Sequence, residues 1–291
     1  MVGMLGLEEG NSSEEEVCKK ETTPISSPRT PIDKLIIREK QRWNVNMVIL
    51  QETKFLVINS TMSRTPWNRA GVELAYQPSI GASGGLCIMW RGEEFELLDR
   101  HDGVYSLAFL FKLRRTGQIW YSVGVYAPNN RKDIRILWRE LGDIVGLWDF
   151  PGCIRGDFNT ILFTEEKNRD CTINRGMSNF TKFIMDWNLI DLPLCGAIYT
   201  WTNGQVDPIF CRLDRFLINS RWEELFPDTI QSTKPRPVSD HTPILLITQG
   251  LRFGPSFYKF EHIWLEDPSL KDKITGWWNE FQVEGNPGYV L

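Results

Sequence analysis

Histidine is scarce in this chain, with three residues in 291, and its six cysteines are scattered singly at 18, 87, 153, 171, 195 and 211. No CxxC pair and no Cys/His ligand spacing occurs, which argues against a structural zinc site. The opening MVGMLGLEEG lacks a basic stretch followed by a long apolar one, so it does not read as a secretory leader. Without a leader, a disulfide framework is not expected, and the chain reads as intracellular. The longest apolar runs, such as Pro243 to Ile247, are too short to span a bilayer, so no membrane partner is expected. No GxxxxGK[ST] loop and no strand–GxGxxG–helix unit is present, which disfavours those nucleotide-binding folds. An excess of positive charge is also missing: 33 Lys and Arg stand against 37 Asp and Glu, a net charge of −4. That balance does not look like a generic nucleic-acid coat.

What is there is ordinary globular composition, 42% hydrophobic and 12% aromatic, enough for one large α/β domain. Residues 8–30 are polar and charged and cannot bury enough surface to offset their ordering entropy. Residues 1–31 are therefore expected to be a disordered acidic tail. From Pro31 the pattern changes: Ile32, Leu35, Ile36 and Trp43 stand at helical spacing. Strands are expected over 47–55, 84–90, 104–113, 118–126, 152–158, 211–218 and 243–247. Amphipathic helices are expected over 131–148 and along Met177, Phe180, Ile184 and Trp187. Strands and helices alternate irregularly with hairpins between, which predicts sheets covered by helices. Trp138, Trp148 and Trp187 fall at helix-face spacing and are read as core, not as base-stacking platforms.

Several polar residues sit where the expected strands end, the usual place for a site in an α/β protein. Glu52 closes one strand, Asp157 and Asn159 another; Asp214 lies in CRLDRFLIN, and Asp240 with His241 forms a tip before the last strand. Singly, each reads as a surface carboxylate or a structural histidine. Together they form the inventory of metal-assisted phosphoryl chemistry, in which hard Mg²⁺ takes carboxylate and water oxygens while a base and an acid handle protons. Adjacent side chains rarely bond one another, so a carboxylate other than Asp240 would have to orient His241.

Read together, LQETK (50–54), YAPN (126–129), GDFN (156–159), RLDRFL (212–217) and SDH (239–241) resemble the endonuclease/exonuclease/phosphatase superfamily. More narrowly the chain resembles the apurinic-type endonuclease domain of plant LINE-type (non-LTR) retrotransposons. The stretches DLPLCGAIYTWTN (191–203) and FYKFEHIWLEDPSLKDKITGWWNE (257–280) carry that narrower likeness, and the second resembles the connector that precedes a reverse transcriptase. The resemblance covers about residues 32–280. It implies an α/β fold, a four-layer sandwich of two β-sheets flanked by helices (DNase I-like), over residues 32–250, with a connector over 251–291. It implies Mg²⁺ or Mn²⁺ as cofactor, DNA as partner, an ancestral fusion to a reverse transcriptase, a monomer, and a nuclear location. Glu52 would be a metal ligand, and Asp240 would align the attacking water or a metal. Tyr126 would lie beside the scissile phosphate, with Asn129 shaping the same pocket. Asp157, oriented by Asn159, would handle the proton of the water or of the leaving group. Asp214 would orient His241, which would stabilise the phosphate's developing charge. Thr200 and Trp201 fall where the family places residues near the DNA groove, and Arg212 beside Asp214 is a weaker candidate for a phosphate contact.

One departure stands out. The family opens with a strand like S-W-N-x-R-G, whose Asn belongs to the metal site, and nothing similar precedes Glu52 here. Asn44 lies only eight residues before Glu52, in a helix-to-strand connection, and is not read as its counterpart. The sandwich is therefore expected to lack its first strand, and loss of one metal-site residue commonly costs about 10–100-fold in affinity or activity. Three functions fit: a Mg²⁺-dependent DNA-nicking endonuclease of retrotransposon origin, impaired by that loss; an inactive remnant that at most binds nucleic acid; or another phosphoesterase of the same superfamily.

Overall fold

The structure is a computed structural model and describes residues 2–6, 45–53, 71–78, 85–130, 133–236, 239–248 and 269–280. It falls into two units, Met1–Leu251 and Arg252–Leu291. In the second unit the described residues form one helix, Leu270–Glu280. Among the described residues no helix is long and apolar enough to cross a membrane.

The first unit is built on two sheets. One has seven strands: β1 (Val2–Gly6), β2 (Met47–Gln51), β3 (Val72–Gln77), β4 (Leu86–Arg91), β10 (Leu194–Cys195), β14 (Ile230–Thr233) and β15 (Ile244–Ile247). Their order is β10-β14-β15-β1-β2-β4-β3. The other has six: β5 (Phe95–Asp102), β6 (Ser106–Leu113), β7 (Ile119–Tyr126), β8 (Gly152–Asp157), β9 (Leu189–Asp191) and β13 (Asp214–Asn219), ordered β5-β6-β7-β8-β13-β9. A two-stranded ribbon, β11 (Trp201–Thr202) with β12 (Phe210–Cys211), stands apart. Alternation along each strand sends one set of side chains between the sheets and the other outward. Met47, Ile49, Ile88, Trp90, Phe109, Phe111, Phe216 and Leu246 meet between the sheets. Trp90, Phe95, Phe109, Phe111 and Trp120 pack there with ring centroids 5.2–5.9 Å apart. Gly124 lets the sheets approach, since a Cβ there would stand 2.7 Å from Ile88 Cδ1.

Two helices cover the outer face of the six-stranded sheet. Helix α1 (Ile134–Leu147) buries Ile134, Leu137, Leu141 and Ile144, and α2 (Arg175–Asp186) buries Met177, Phe180 and Phe183. Asn174 starts α2 by accepting hydrogen bonds from the Gly176 and Met177 amides, at 2.8 and 3.1 Å. Trp138 and Trp148 join this layer as expected. Trp187 packs at its margin: α2 ends at Asp186, and the Trp187 ring lies against Gly142 and Gly146 of α1 while the residue stays 36% exposed. The outer face of the seven-stranded sheet carries a second apolar set including Val48, Met89 and Leu245. The helix expected near 32–43 lies outside the described residues, as does Asn44.

The expected loss of a first strand is corrected. Val2–Gly6 fills a central position, antiparallel to β2 (Val2 opposite Leu50, Leu5 opposite Met47) and parallel to β15 (Gly3 opposite Ile244). A gap between β2 and β15 would leave two rows of backbone groups unpaired, and this segment satisfies both. The reading of 1–31 as one disordered tail is therefore overturned for residues 2–6, while 7–31 lie outside the described residues. The strand's direction matters for the site. β2 runs toward the site and ends at Gln51, whereas β1 runs the other way, so its C-terminal end, Gly6, lies at the far edge beside Ile247. A strand meant to deliver an Asn from its C-terminal end would have to run parallel to β2. VGMLG fills the space without an Asn such as the resemblance implies.

Candidate active site

Five strand ends converge at one edge of the sandwich. β2, β7 and β8 arrive there by their C-terminal ends, and β13 and β15 depart from it. Tyr126 is in register with Asp157 across the parallel β7–β8 pair, and Asp157 with Asp214 across the antiparallel β8–β13 pair. Sheet pairing thus places three of the expected residues side by side.

His241 is buried, and its Nδ1 lies 2.9 Å from Asp214 Oδ2. This bond fixes the ring and leaves Nε2 as the nitrogen available to a substrate. Burial disfavours the imidazolium, but the Asp214 hydrogen bond and charge, with Asp157 and Asp240 behind, outweigh it and hold the His241 pKa above its ordinary value. The Asp214–His241 pairing expected from the sequence is present, and Asp240 does not bond the ring.

Asp157 is fully buried and lies beside these charges. Burial first, then the Asp214 carboxylate, pushes its pKa from 3.8 up to about 8. At neutral pH the metal-free protein therefore holds a proton on Asp157. The Asn159 amide donates to Asp157 Oδ1 at 2.8 Å, and Asn159 Nδ2 donates to the Ala127 carbonyl at 2.6 Å. Asn159 itself has φ 47°, a left-handed conformation that Asn tolerates better than most residues. The raised pKa sets a sign for stability. Protonated Asp157 contributes stability that is full below about pH 4 and is lost as pH rises through about 8. In EDTA, Asp157→Asn is expected to gain in melting temperature over the parent as pH rises from 5 to 8.5; a difference constant across that range contradicts the assignment.

Glu52 follows β2 with φ 52°, an uncommon backbone for a residue with a side chain. Its Oε1 accepts a hydrogen bond of 2.5 Å from the Tyr126 hydroxyl. Burial, that bond, and the charges of Glu52, Asp157 and Asp240 push the Tyr126 phenol far up, so it stays a donor. Asp240 is exposed, and its Oδ2 accepts from Trp201 Nε1 at 3.1 Å. Although burial works the other way, His241, Trp201 and Ser239 hold the Asp240 pKa below the usual range. Asn129 lies exposed in the loop beyond Tyr126, with no hydrogen bond to a described residue.

Other expected residues take different posts. Thr200 is buried, and its Oγ1 accepts from the Leu213 and Asp214 amides at 2.9 and 3.0 Å. Its backbone also pairs with Thr242, so it ties the Asp214 and His241 segments together. Trp201 forms a bridge with His241, its ring 6.4 Å away, and buttresses the Asp240–His241 tip. Arg212 is committed internally: it pairs with Glu166 at 3.3 Å and Asp191 at 2.9 Å and donates to the Leu192 carbonyl. Arg215, fully buried, bonds the same two acids. This four-membered ion network, and not a phosphate, takes the Arg212 guanidinium. Sequence reasoning passed over Gln51 and Gly156. The Gln51 amide donates across the sheets to the Val125 carbonyl. Gly156 has φ 140°, and a Cβ there would strike that carbonyl at 2.0 Å.

The donor set fits a hard divalent cation in a limited way. Its carboxylates are all-oxygen donors, and burial first, with the neighbouring Asp214 carboxylate adding to it, raises the Asp157 pKa. Among the described residues no three acids, histidines or cysteines converge to share one ion. The exposed carboxylates of Glu52 and Asp240 could ligate from the protein side, with water and substrate oxygens completing the shell, as Mg²⁺ accepts.

No family model matches the sequence, and a search of curated proteins finds no match. Solved structures do match. The AP endonuclease LMAP from Leishmania major is 14% identical, with a TM-score of 0.58 over 72% of this chain and 80% of that one. The endonuclease domain of TRAS1, a telomere-specific non-LTR retrotransposon, is 11% identical, with a TM-score of 0.56 over 74% and 90%. An endonuclease/exonuclease/phosphatase family protein from Bacteroides thetaiotaomicron is 14% identical, with a TM-score of 0.50 over 73% and 86%. The chain thus has the DNase I-like α/β sandwich fold of endonuclease/exonuclease/phosphatase proteins.

Proposed function

We propose that this chain is a divalent-metal-dependent phosphodiesterase that nicks DNA. The observation that carries the reading is the buried Asp214–His241 pair at 2.9 Å beside the buried Asp157, at the edge where Glu52 meets Tyr126. Mg²⁺ or Mn²⁺ at Glu52 would supply charge neutralisation for the phosphate. His241 Nε2 donates to a non-bridging phosphate oxygen, and Asp214 keeps the ring charged and oriented. Asp157 gives its proton to the leaving oxygen. With a cation held by Glu52, the Tyr126 hydroxyl, which now donates to that carboxylate, would be free to donate to the phosphate. Asp240, held by Trp201, aligns the attacking water and takes its proton as the bond from phosphorus to the leaving oxygen breaks. The TRAS1 likeness and the 257–280 stretch support a retrotransposon origin, with 251–291 as the connector to a reverse transcriptase; a monomer and a nuclear location remain part of the proposal.

The direction of Val2–Gly6 favours a second reading, an inactive remnant, because that strand brings no ligand to the metal position. Incubation of the folded chain with supercoiled plasmid in Mg²⁺, beside a parallel p-nitrophenyl phosphate assay, separates the readings. Nicking without phosphate release from the monoester is the expected result. Monoester hydrolysis without nicking assigns a phosphatase, and neither activity assigns the remnant.

A further inference from the structure

Arg155 is an unexpected residue for the middle of a sandwich. On β8 it follows Cys153 and precedes Asp157 on the same face, so its side chain points between the sheets. It is 1% exposed and forms no ion pair with a described residue. One guanidinium nitrogen donates to the Met47 thioether, a weak acceptor, and Nε has no partner. Burial lowers its pKa to about 10.

A second orphan lies close by. Asp214 is fully buried, Oδ2 is taken by His241, and Oδ1 has no hydrogen bond. Arg155 stands opposite Phe216 and Asp157 opposite Asp214, so Arg155 and Asp214 are diagonal neighbours on one face. Such neighbours are about 7–8 Å apart, too far for short contact yet within reach of a long side chain. Both line one internal cavity, closed by Ile49, Gln51, Phe216 and Ile244, with room for about one water molecule. A cationic donor and an anionic acceptor, each with an unsatisfied atom, thus face a mostly apolar space just large enough for one water.

We propose that Arg155 is a positioning residue for the Asp214–His241 pair, acting through one buried water that accepts from its guanidinium and donates to Asp214 Oδ1. The water fixes the free oxygen of Asp214, and the carboxylate plane then presents Oδ2 squarely to His241 Nδ1. The role rests on the phosphodiesterase reading, but the water does not. A buried unpaired cation adds little to stability, and an apolar side chain of similar volume is commonly as stable or more so. Structural and positioning roles therefore separate in Arg155→Met.

Arg155→Met is expected to keep or raise the melting temperature while kcat for DNA cleavage falls about tenfold or more with KM unchanged. Arg155→Lys, which keeps the charge, is expected to recover part of that loss. Undiminished kcat in a folded Arg155→Met overturns the proposal. High-resolution crystal structures of the parent and Arg155→Met test it without activity. A water within hydrogen-bond distance of both Arg155 and Asp214 Oδ1 is expected in the parent. In Arg155→Met, an Asp214 carboxylate rotated away from His241 is expected. A dry cavity, or an unmoved Asp214 in the variant, overturns it. An inactive parent holding the bridging water would sink the phosphodiesterase reading alone.

Discussion

His241→Ala is expected to lower the single-turnover rate of cleavage of a labelled DNA duplex by about 10²–10⁴-fold, the range for removing a positioned proton-handling group. The argument is geometric. His241 is the buried imidazole of the site, charged by Asp214 and aimed by it. Its removal takes from Asp214, a buried carboxylate, the cationic partner at Oδ2, and that costs further through repulsion of the phosphate. Asp157 and Asp214 are themselves held by backbone pairing, so the rest of the site keeps its place. KM for the duplex is expected to change far less than kcat, because the histidine acts on charge that develops in the transition state. A rate within threefold of the parent, with the fold intact by circular dichroism, contradicts the role given to His241.

Met4→Pro is the second large effect, and it concerns the fold. Residue 4 pairs with Val48 on one side and Leu245 on the other, at the centre of a seven-stranded sheet. Proline has no amide hydrogen to give to a ladder and is confined to edges and bulges. In this central strand it is expected to cost about 3 kcal/mol or more, a large share of the roughly 5–15 kcal/mol by which domains are stable. The urea midpoint should fall accordingly, while Met4→Val, which keeps the amide and favours strand geometry, should hold it. An unchanged midpoint for Met4→Pro would show that Val2–Gly6 does not occupy that central position.

The contrast between these two results shows where the sequence was readable. Strands at the sheet centres announced themselves by apolar runs: Leu86–Arg91, Ser106–Leu113 and Ile119–Tyr126 lie close to where periodicity puts them. Edge strands did not. Val72–Gln77 and Phe95–Asp102 carry charges and half-exposed positions because one flank faces water. Val2–Gly6 was invisible for a different reason. With two glycines in five residues it has little strand preference, and it is a strand because β2 and β15 flank a vacant ladder. At the site, Asp157, Asp214 and His241 were legible as motifs, and sheet register brought them together. The internal partners of Arg212 and Thr200 were not legible, because sequence does not reveal which group awaits a side chain. Glu166 and Asp191, 46 and 21 residues away from Arg212, claim its guanidinium, and the amides of Leu213 and Asp214 claim Thr200.

The most direct measurement of the central claim is the time course of supercoiled-plasmid nicking by the full chain, in EDTA and then with Mg²⁺ or Mn²⁺ restored, beside His241→Ala and Glu52→Gln. The account predicts no nicking in EDTA, recovery when either ion is added, and loss of that recovery in both variants. Nicking that persists in EDTA or survives His241→Ala would contradict it, as would a folded parent chain that nicks with neither ion.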